Sequence, residues 1–245
     1  MIFLTGDTHA EVRRLSVAGF PTGKELTKND YVIILGDFGL IWDRVPSDNE
    51  KHWCKWLSEK PWTTLFLDGN HENFNRIDLL EEIDMFGGKV GKLNNSIFHL
   101  KRGEVYTIDG HKFFTFGGGL SIDKSRRIPD ISWWDRELPN YKEYKNGLDN
   151  LSKHNFKVDY ILSHDISSSI YKKLDTKFGI IKTTEHDLPK YLEEIESQVD
   201  FKLWYFGHFH FNSSLDDKHI CLYEDIIKLG KKPIERTYFR SPGFH

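Results

Sequence analysis

Residues 2–9 read Ile-Phe-Leu-Thr-Gly-Asp-Thr-His, a short apolar run that ends abruptly in a glycine and polar side chains. Four later runs of the chain end in the same manner. Short apolar runs with abrupt polar ends are typical of strands that are buried on both faces. We therefore predict five buried strands, over residues 2–5, 31–35, 64–67, 160–162 and 203–206.

A polar loop follows each of these predicted strands. The loops are Gly-Asp-Thr-His at 6–9, Gly-Asp at 36–37, Asp-Gly-Asn-His at 68–71, Ser-His-Asp at 163–165 and Gly-His-Phe-His at 207–210. In α/β proteins, ligands bind at the carboxyl ends of the strands. We therefore expect these loops to meet at one edge of the fold.

The segments between the strands predict an α/β architecture. Apolar residues at helical spacing predict helices over 49–60, 74–83 and 187–199, the last with Pro189 tolerated in its first turn. Residues 97–116 contain β-rich runs around Asp109-Gly110, a hairpin signal that adds antiparallel strands. The chain shows no repeat or linker, and we predict a single domain over residues 1–245.

Composition narrows the classes of function. The chain has 245 residues, and its 34 Lys and Arg against 37 Asp and Glu give a net charge of -3. There is no bulk positive field for a polyanion, so long nucleic acid is not favoured as a partner. Two cysteines without metal-site spacing, no signal peptide and no apolar stretch of about 20 residues predict a cytoplasmic protein without a membrane partner.

The strand-end loops together carry the ligands of a two-metal centre. Each motif alone has an ordinary explanation as a turn or a helix cap. Two divalent ions about 3.5–4 Å apart need carboxylate and imidazole ligands and one bridging carboxylate. Alternate residues of an extended segment point to the same side, so each loop with two candidates could aim both at one centre. The candidates are Asp7, His9, Asp37, Asn70, His164, His208 and His210.

The set GDTH, GD, GNHE, SH and GHFH resembles the calcineurin-like metallophosphoesterase superfamily of binuclear metal-dependent phosphoesterases. The resemblance spans residues 6–210 and implies a two-layer β-sandwich flanked by helices, a four-layer αββα arrangement. It implies that Asp37 bridges two metals, and that His71 lies beside the phosphate, stabilising it or protonating the leaving oxygen. The implied ligands are Asp7, His9 and His210 for one metal and Asn70, His164 and His208 for the other.

The resemblance further implies hydrolysis of phosphate esters by metal-activated hydroxide. The expected cofactor is two divalent ions, with Mn²⁺ the first choice and Fe, Zn or Ni also compatible with these ligands. We favour a phosphodiesterase or phosphatase acting on small-molecule or nucleotide-type phosphate esters. The physiological substrate, the preference for monoesters or diesters, and the oligomeric state stay open.

Two alternatives compete with this interpretation. Protein Ser/Thr phosphatases that resemble this family carry a GDxxDRG motif, and the stretch from Gly36 to Arg44 has no Asp-Arg-Gly at that spacing. A non-catalytic scaffold of the same fold would be expected to have lost ligands. All seven candidate positions hold a side chain able to bind metal, which favours the enzyme.

A rim over the metals is predicted from residues 121–139. This segment has no clear periodicity and contains Arg126, Arg127, Trp133 and Trp134, an inventory suited to phosphate and to aromatic groups. Packing of the two tryptophans in the core is the alternative. We take Gly117-Gly118-Gly119 as a sharp exit from the preceding strand. Glu72 either supports a ligand or begins a helix with a favourable charge.

Overall fold

The computed structural model of the chain describes residues 1–179 and 186–233. The predicted single domain also includes residues 180–185 and 234–245, which lie outside these ranges, and its boundaries stay a prediction. The strands are Ile2–Thr5 (β1), Tyr31–Ile34 (β2), Thr63–Phe66 (β3), Glu81–Met85 (β4), Gly88–Lys92 (β5), Ile97–Leu100 (β6), Glu104–Ile108 (β7), His111–Phe116 (β8), Tyr160–Ser163 (β9), Leu203–Phe206 (β10), Ser213–Ser214 (β11), His219–Cys221 (β12) and Ile227–Lys228 (β13). The α-helices are Asp48–Ser58 (α1), Phe74–Ile77 (α2), Tyr141–Lys153 (α3), Ser168–Phe178 (α4) and Asp187–Gln198 (α5).

The strands within the described ranges form two mixed sheets. The seven-stranded sheet has the order β13-β1-β2-β3-β6-β5-β4, and the six-stranded sheet has the order β11-β12-β10-β9-β8-β7. The five predicted strands are confirmed as β1, β2, β3, β9 and β10, with ends shifted by at most one residue. Strands β1, β2, β3 and β6 run parallel, as do β8, β9, β10 and β12. The predicted strand ends therefore share one edge within each sheet.

Alternation along the strands divides the apolar side chains among three clusters. In β1 and β2, Leu4 and Ile33 point into a cluster between the sheets, whereas Val32 points to the outer face that α1 covers. In β9, Leu162 joins the cluster between the sheets and Ile161 joins the outer cluster with α4 and α5. Successive strand residues point to opposite faces. The result is the predicted α/β arrangement of two stacked sheets with helices on both outer faces.

Local signals explain where the longer helices begin. The side chain of Ser47 accepts a hydrogen bond from the backbone N–H of Glu50 at the start of α1. Helix α3 begins with a capping box, because Asn140 and Glu143 each bind the other's backbone N–H. The predicted helices over 49–60 and 187–199 are confirmed as α1 and α5. None of the helices within the described ranges is long and apolar enough to cross a bilayer.

The helix predicted over residues 74–83 is wrong beyond Ile77. Helix α2 ends there, and β4 begins at Glu81 and pairs antiparallel with β5 over five residue pairs. The apolar residues that suggest one helix belong to two different elements. Ile77 packs in the outer cluster, whereas Ile83 packs on the cluster between the sheets. Strand pairing outweighs the local pattern at this position.

The hairpin predicted at Asp109-Gly110 is confirmed. It joins β7 to β8, which pair antiparallel, and both turn residues have positive φ, 49° at Asp109 and 77° at Gly110. Positive φ at both central residues defines the type I′ turn that fits the twist of a two-residue hairpin. The middle of the chain is not entirely antiparallel, however, because β6 and β8 join their neighbours β3 and β9 in parallel.

The conformation of this turn gives a stability prediction. A β-carbon on Gly110 would have no atom within 4 Å, so Gly110→Ala changes only the backbone strain. We expect it to lower the free energy of unfolding by about 1–2 kcal/mol, the cost of a left-handed residue with a β-carbon. Gly110→Asn should cost less because Asn tolerates this conformation. Urea unfolding of the three proteins measures both effects, and equal stability of all three would contradict the turn geometry.

Candidate metal centre

The seven candidate ligands lie together at the carboxyl edge of the two sheets. Asp7, Asp37 and Asn70 follow β1, β2 and β3 of the seven-stranded sheet, and His9 lies in the loop after β1. His164 follows β9, and His208 and His210 follow β10, both strands of the six-stranded sheet. The edge therefore combines side chains from both layers of the sandwich.

Four of these residues form one compact group. Asp7, His9, Asp37 and His210 each offer one ligand atom, and these atoms all lie within 4.8 Å of one another. The Nε2 atoms of His9 and His210 are 3.0 Å apart. His210 Nε2 lies 3.1 Å from Asp7 Oδ2, and His9 Nε2 lies 3.6 Å from Asp37 Oδ2. Two carboxylates and two imidazoles at these separations suit a divalent transition metal.

A second group lies on the other side of Asp37. The Nδ1 atom of His164 donates a hydrogen bond to the carbonyl oxygen of Leu35 at 2.9 Å, which leaves Nε2 with its lone pair. That atom faces Asn70 Oδ1 at 3.2 Å and Asp37 Oδ1 at 3.4 Å. The ring of His208 lies beside the ring of His164, with 4.8 Å between the two centroids. Three lone pairs thus face one another, and a proton on Nε2 or a cation between them relieves the repulsion.

The charges of this edge depend on each other. Burial opposes ionisation of Asp37, but the imidazoles of His164 and His71 hold the pKa of its carboxyl well below the ordinary value. Burial likewise opposes a charge on His164, yet the two carboxylates of Asp37 and Asp7 raise its pKa. Metal ligands must be deprotonated to bind, so a cation here would compete with that proton.

The backbone conformation of the ligand loops differs from the expected one. The expectation from the sequence is an extended backbone, but φ is 44° at His9, 68° at His208 and 55° at His210, all in the left-handed region. That expectation is therefore wrong, and turns rather than alternation bring the side chains together. Residues with a β-carbon in this conformation are strained, and such strain concentrates at functional sites.

Asp7 is fixed by the loop that carries the histidines after β10. The backbone N–H of His208 donates to both carboxylate oxygens of Asp7, at 3.0 and 3.1 Å. A β-carbon on the preceding Gly207 would lie 2.2 Å from Asp7 Oδ1, so only glycine permits this approach.

His71 lies beside the group of four and is not one of its members. Its backbone N–H donates to Asp37 Oδ1 at 2.8 Å, and its ring stacks on Trp42 with 5.9 Å between centroids. The Nη2 atom of Arg127 lies 3.5 Å from His71 Nε2, and Asp123 holds the same guanidinium at 2.8 Å from Nε. Burial lowers the pKa of His71 to about 4.

The predicted rim residues lie in different environments. Arg127 faces His71, whereas Arg126 is exposed to solvent. Trp134 is only 2% exposed and meets the edge of Trp42 at 5.2 Å. Its burial favours the packing role that the sequence left open. Trp133 is half-buried, with the ammonium group of Lys124 over its ring at 5.7 Å.

Glu72 supports the loop after β2. Its carboxylate is fully buried and accepts hydrogen bonds from the backbone N–H groups of Phe38 at 2.6 Å and Gly39 at 3.3 Å. Burial, with Asp37 nearby, raises its pKa well above the ordinary value. These contacts favour the supporting role for Glu72 over the alternative of a charge at the start of a helix.

Several buried side chains behind the candidate ligands are not among the residues predicted from the sequence. Asp68 is buried between His99 Nε2 at 2.8 Å and Arg102 Nε at 2.7 Å, two residues before Asn70. Its place in the loop after β3 was a usable signal. Ser121 contacts Asn70, and Glu137 contacts Ser121, which lies 51 positions after Asn70 in the sequence. Trp42 was also missed, since nothing in its own segment relates it to His71.

Comparison with known proteins places the chain in a family. A sequence model described as calcineurin-like phosphoesterase matches residues 1–212. A search of curated proteins found no match. A solved structure, of a candidate 5′-nucleotidase from Staphylococcus aureus in complex with alpha-ketoglutarate, is similar at 12% identity with a TM-score of 0.47. The match covers 91% of this chain and 48% of that one, so the chain spans about half its length. Because the family match extends over most of the sequence, this chain belongs to the calcineurin-like phosphoesterase family.

Proposed function

We propose that this protein is a binuclear metal-dependent phosphoesterase that hydrolyses small or nucleotide-type phosphate esters. Asp7, His9 and His210 would hold one divalent ion, and Asn70, His164 and His208 would hold the other. Asp37 would bridge the two. Mn²⁺ is the ion to test first, and Fe, Zn and Ni also suit oxygen and nitrogen ligands of this kind.

The observation that carries the proposal is the position of Asp37 between two groups of lone pairs. One of its oxygens lies 3.6 Å from His9 Nε2, and the other lies 3.4 Å from His164 Nε2. A carboxylate that faces an imidazole nitrogen on each side supports the assignment of Asp37 as a bridging ligand. The donor set of carboxylates, imidazoles and one amide fits divalent cations.

When bound, two divalent ions would lower the pKa of a water and neutralise charge that develops on the phosphate. The protein itself supplies the groups around the ester. Arg127 directs its guanidinium toward His71, where it can bind a phosphate oxygen. A phosphate beside His71 would raise the lowered pKa of its ring, because an opposite charge favours imidazolium. His71 could then stabilise the phosphate or protonate the leaving oxygen.

A pocket beside His9 and His71 supports a small organic leaving group. It has a volume of about 310 Å³, and the residues after β2 form most of its wall. Trp42 offers an aromatic face, while Asp43 and Asn49 offer polar groups. No Lys or Arg lines this pocket among the described residues. The lining thus suits a flat or neutral alcohol group better than a second phosphate.

Replacing the bridge tests the metal assignment. Asp37→Ala removes the carboxylate that faces both groups, so we expect loss of at least one of two bound Mn²⁺ together with loss of phosphoesterase activity. Asp84→Ala is the control, because that exposed carboxylate on β4 lies outside the candidate site and pairs with Lys89 at 2.8 Å. Metal analysis and aryl phosphate assays measure both properties. Two ions and normal turnover in Asp37→Ala would contradict the bridge.

Replacing His71 separates proton donation from metal binding. We expect His71→Ala to retain both ions and to lower kcat by about 10²–10⁴-fold, the usual contribution of a general acid. The defect should shrink for an ester with a good leaving group, which needs little protonation. An equal defect on good and poor leaving groups would favour phosphate stabilisation instead. The exposed His52 supplies the control variant, His52→Ala.

Two neighbouring arginines test the rim. Arg127→Ala removes the guanidinium beside His71, and we expect KM for a nucleotide-type ester to rise about tenfold, which corresponds to loss of about 1.4 kcal/mol of binding. Arg126→Ala should have a smaller effect, because that side chain points into solvent. Steady-state kinetics of both variants measure the difference. Equal effects, or effects on thermal stability alone, would contradict a direct role for Arg127.

A further inference from the structure

A buried chain of hydrogen bonds joins Asn70 to the segment that contains the predicted rim. The Nδ2 atom of Asn70 donates to Ser121 Oγ at 3.2 Å. Ser121 Oγ donates to Glu137 Oε2 at 2.6 Å, and the backbone N–H of Ser121 donates to Glu137 Oε1 at 3.0 Å. Ser121 is 2% exposed and Glu137 is 1% exposed, so solvent does not compete for these bonds.

The donor and acceptor directions of these hydrogen bonds fix which way the Asn70 amide points. Both carboxylate oxygens of Glu137 accept from Ser121, so the Ser121 hydroxyl uses its one proton on Glu137. Its lone pairs can then only accept, and they accept from the NH₂ group of Asn70. The oxygen of Asn70 is consequently turned to the other side, where it lies 3.2 Å from His164 Nε2.

The same segment also forms a wall against the ligands that share this side of the site. A β-carbon on Gly119 would lie 3.1 Å from Asn70 Oδ1, 3.0 Å from His164 Cδ2 and 3.3 Å from His208 Cε1. The backbone N–H of Gly119 donates to the carbonyl oxygen of Glu137 at 3.2 Å. Glu137 therefore anchors both the serine that orients Asn70 and the glycine that packs on its neighbours.

We infer that Ser121 and Glu137 are positioning residues, which hold the Asn70 oxygen toward the metal position shared with His164 and His208. This role rests on the proposed binuclear function and deepens it by making one of two ions depend on residues 121–137. The other group, Asp7, His9 and His210, has its own support in the loop after β10. The two metal positions should therefore respond differently to changes in this segment.

Titration of metal-free protein with Mn²⁺ tests the inference by calorimetry. In Ser121→Ala, we expect one of two binding events to weaken by about 10–100-fold, the usual effect of losing a partner behind a metal ligand. The other event should keep its wild-type affinity. Ser132→Ala is the matched control, because this serine lies in the same segment, its hydroxyl accepts from the Ile128 N–H at 2.9 Å, and the substitution keeps the carbonyl oxygen that accepts from Arg127. It should titrate like the wild type.

Glu137→Gln provides a second variant that keeps the shape of the side chain. Its amide can donate to Ser121, so the donor and acceptor directions are no longer fixed and the same binding event should weaken, by less than in Ser121→Ala. If both variants bound two Mn²⁺ with wild-type affinity, or if both events weakened equally, the positioning role would be overturned. Wild-type protein that binds fewer than two Mn²⁺ would instead overturn the proposed function, and the inference with it.

Discussion

The carboxylate of Asp37 is buried where the two halves of the site meet, and it is only 1% exposed. An uncompensated charge at such a position costs several kcal/mol, so its neighbours must supply positive charge or hydrogen bonds. The backbone N–H of His71 donates to it, and imidazoles of His9 and His164 face its two oxygens. The remaining candidate ligands are arranged around these contacts, because each belongs to the group on one side of Asp37 or the other.

A second buried carboxylate, that of Asp68, connects the site to other parts of the fold. Asp68 binds Arg102, which also donates to the carbonyl oxygens of Arg136 and Glu137 and pairs with Glu143 of α3 at 3.3 Å. The cluster therefore joins the loop after β3 to the rim segment and to a helix on the opposite sheet. Ionisation of Asp68 is stabilised by Arg102 and His99 despite burial, which lowers its pKa.

Elements with a clear local pattern can be predicted from the sequence, whereas features that depend on contacts between distant residues cannot. The five strands were recognisable because both of their faces are buried, and their polar ends marked the site. The predicted helix over 74–83 runs into the first three residues of β4, because Glu81–Met85 has no apolar run and is fixed by pairing with β5. Ser121, Glu137 and Trp42 carry no local signal, since their partners are brought near by the fold. The left-handed backbone of the loops that carry the candidate histidines could not be predicted either, because the alternation pattern applies to extended strands.

The distribution of charge between the sheets links the site to the sandwich itself. Both carboxylates and the amide come from the seven-stranded sheet, whereas three of the four candidate imidazoles come from the six-stranded sheet. Attraction between Asp7 or Asp37 and His164 therefore acts across the interface between the layers, and it raises the pKa of that imidazole. Cations bound between the groups would take over this role and would bind only when the sheets are packed. For that reason, binding of such cations would be coupled to the packing of the two sheets.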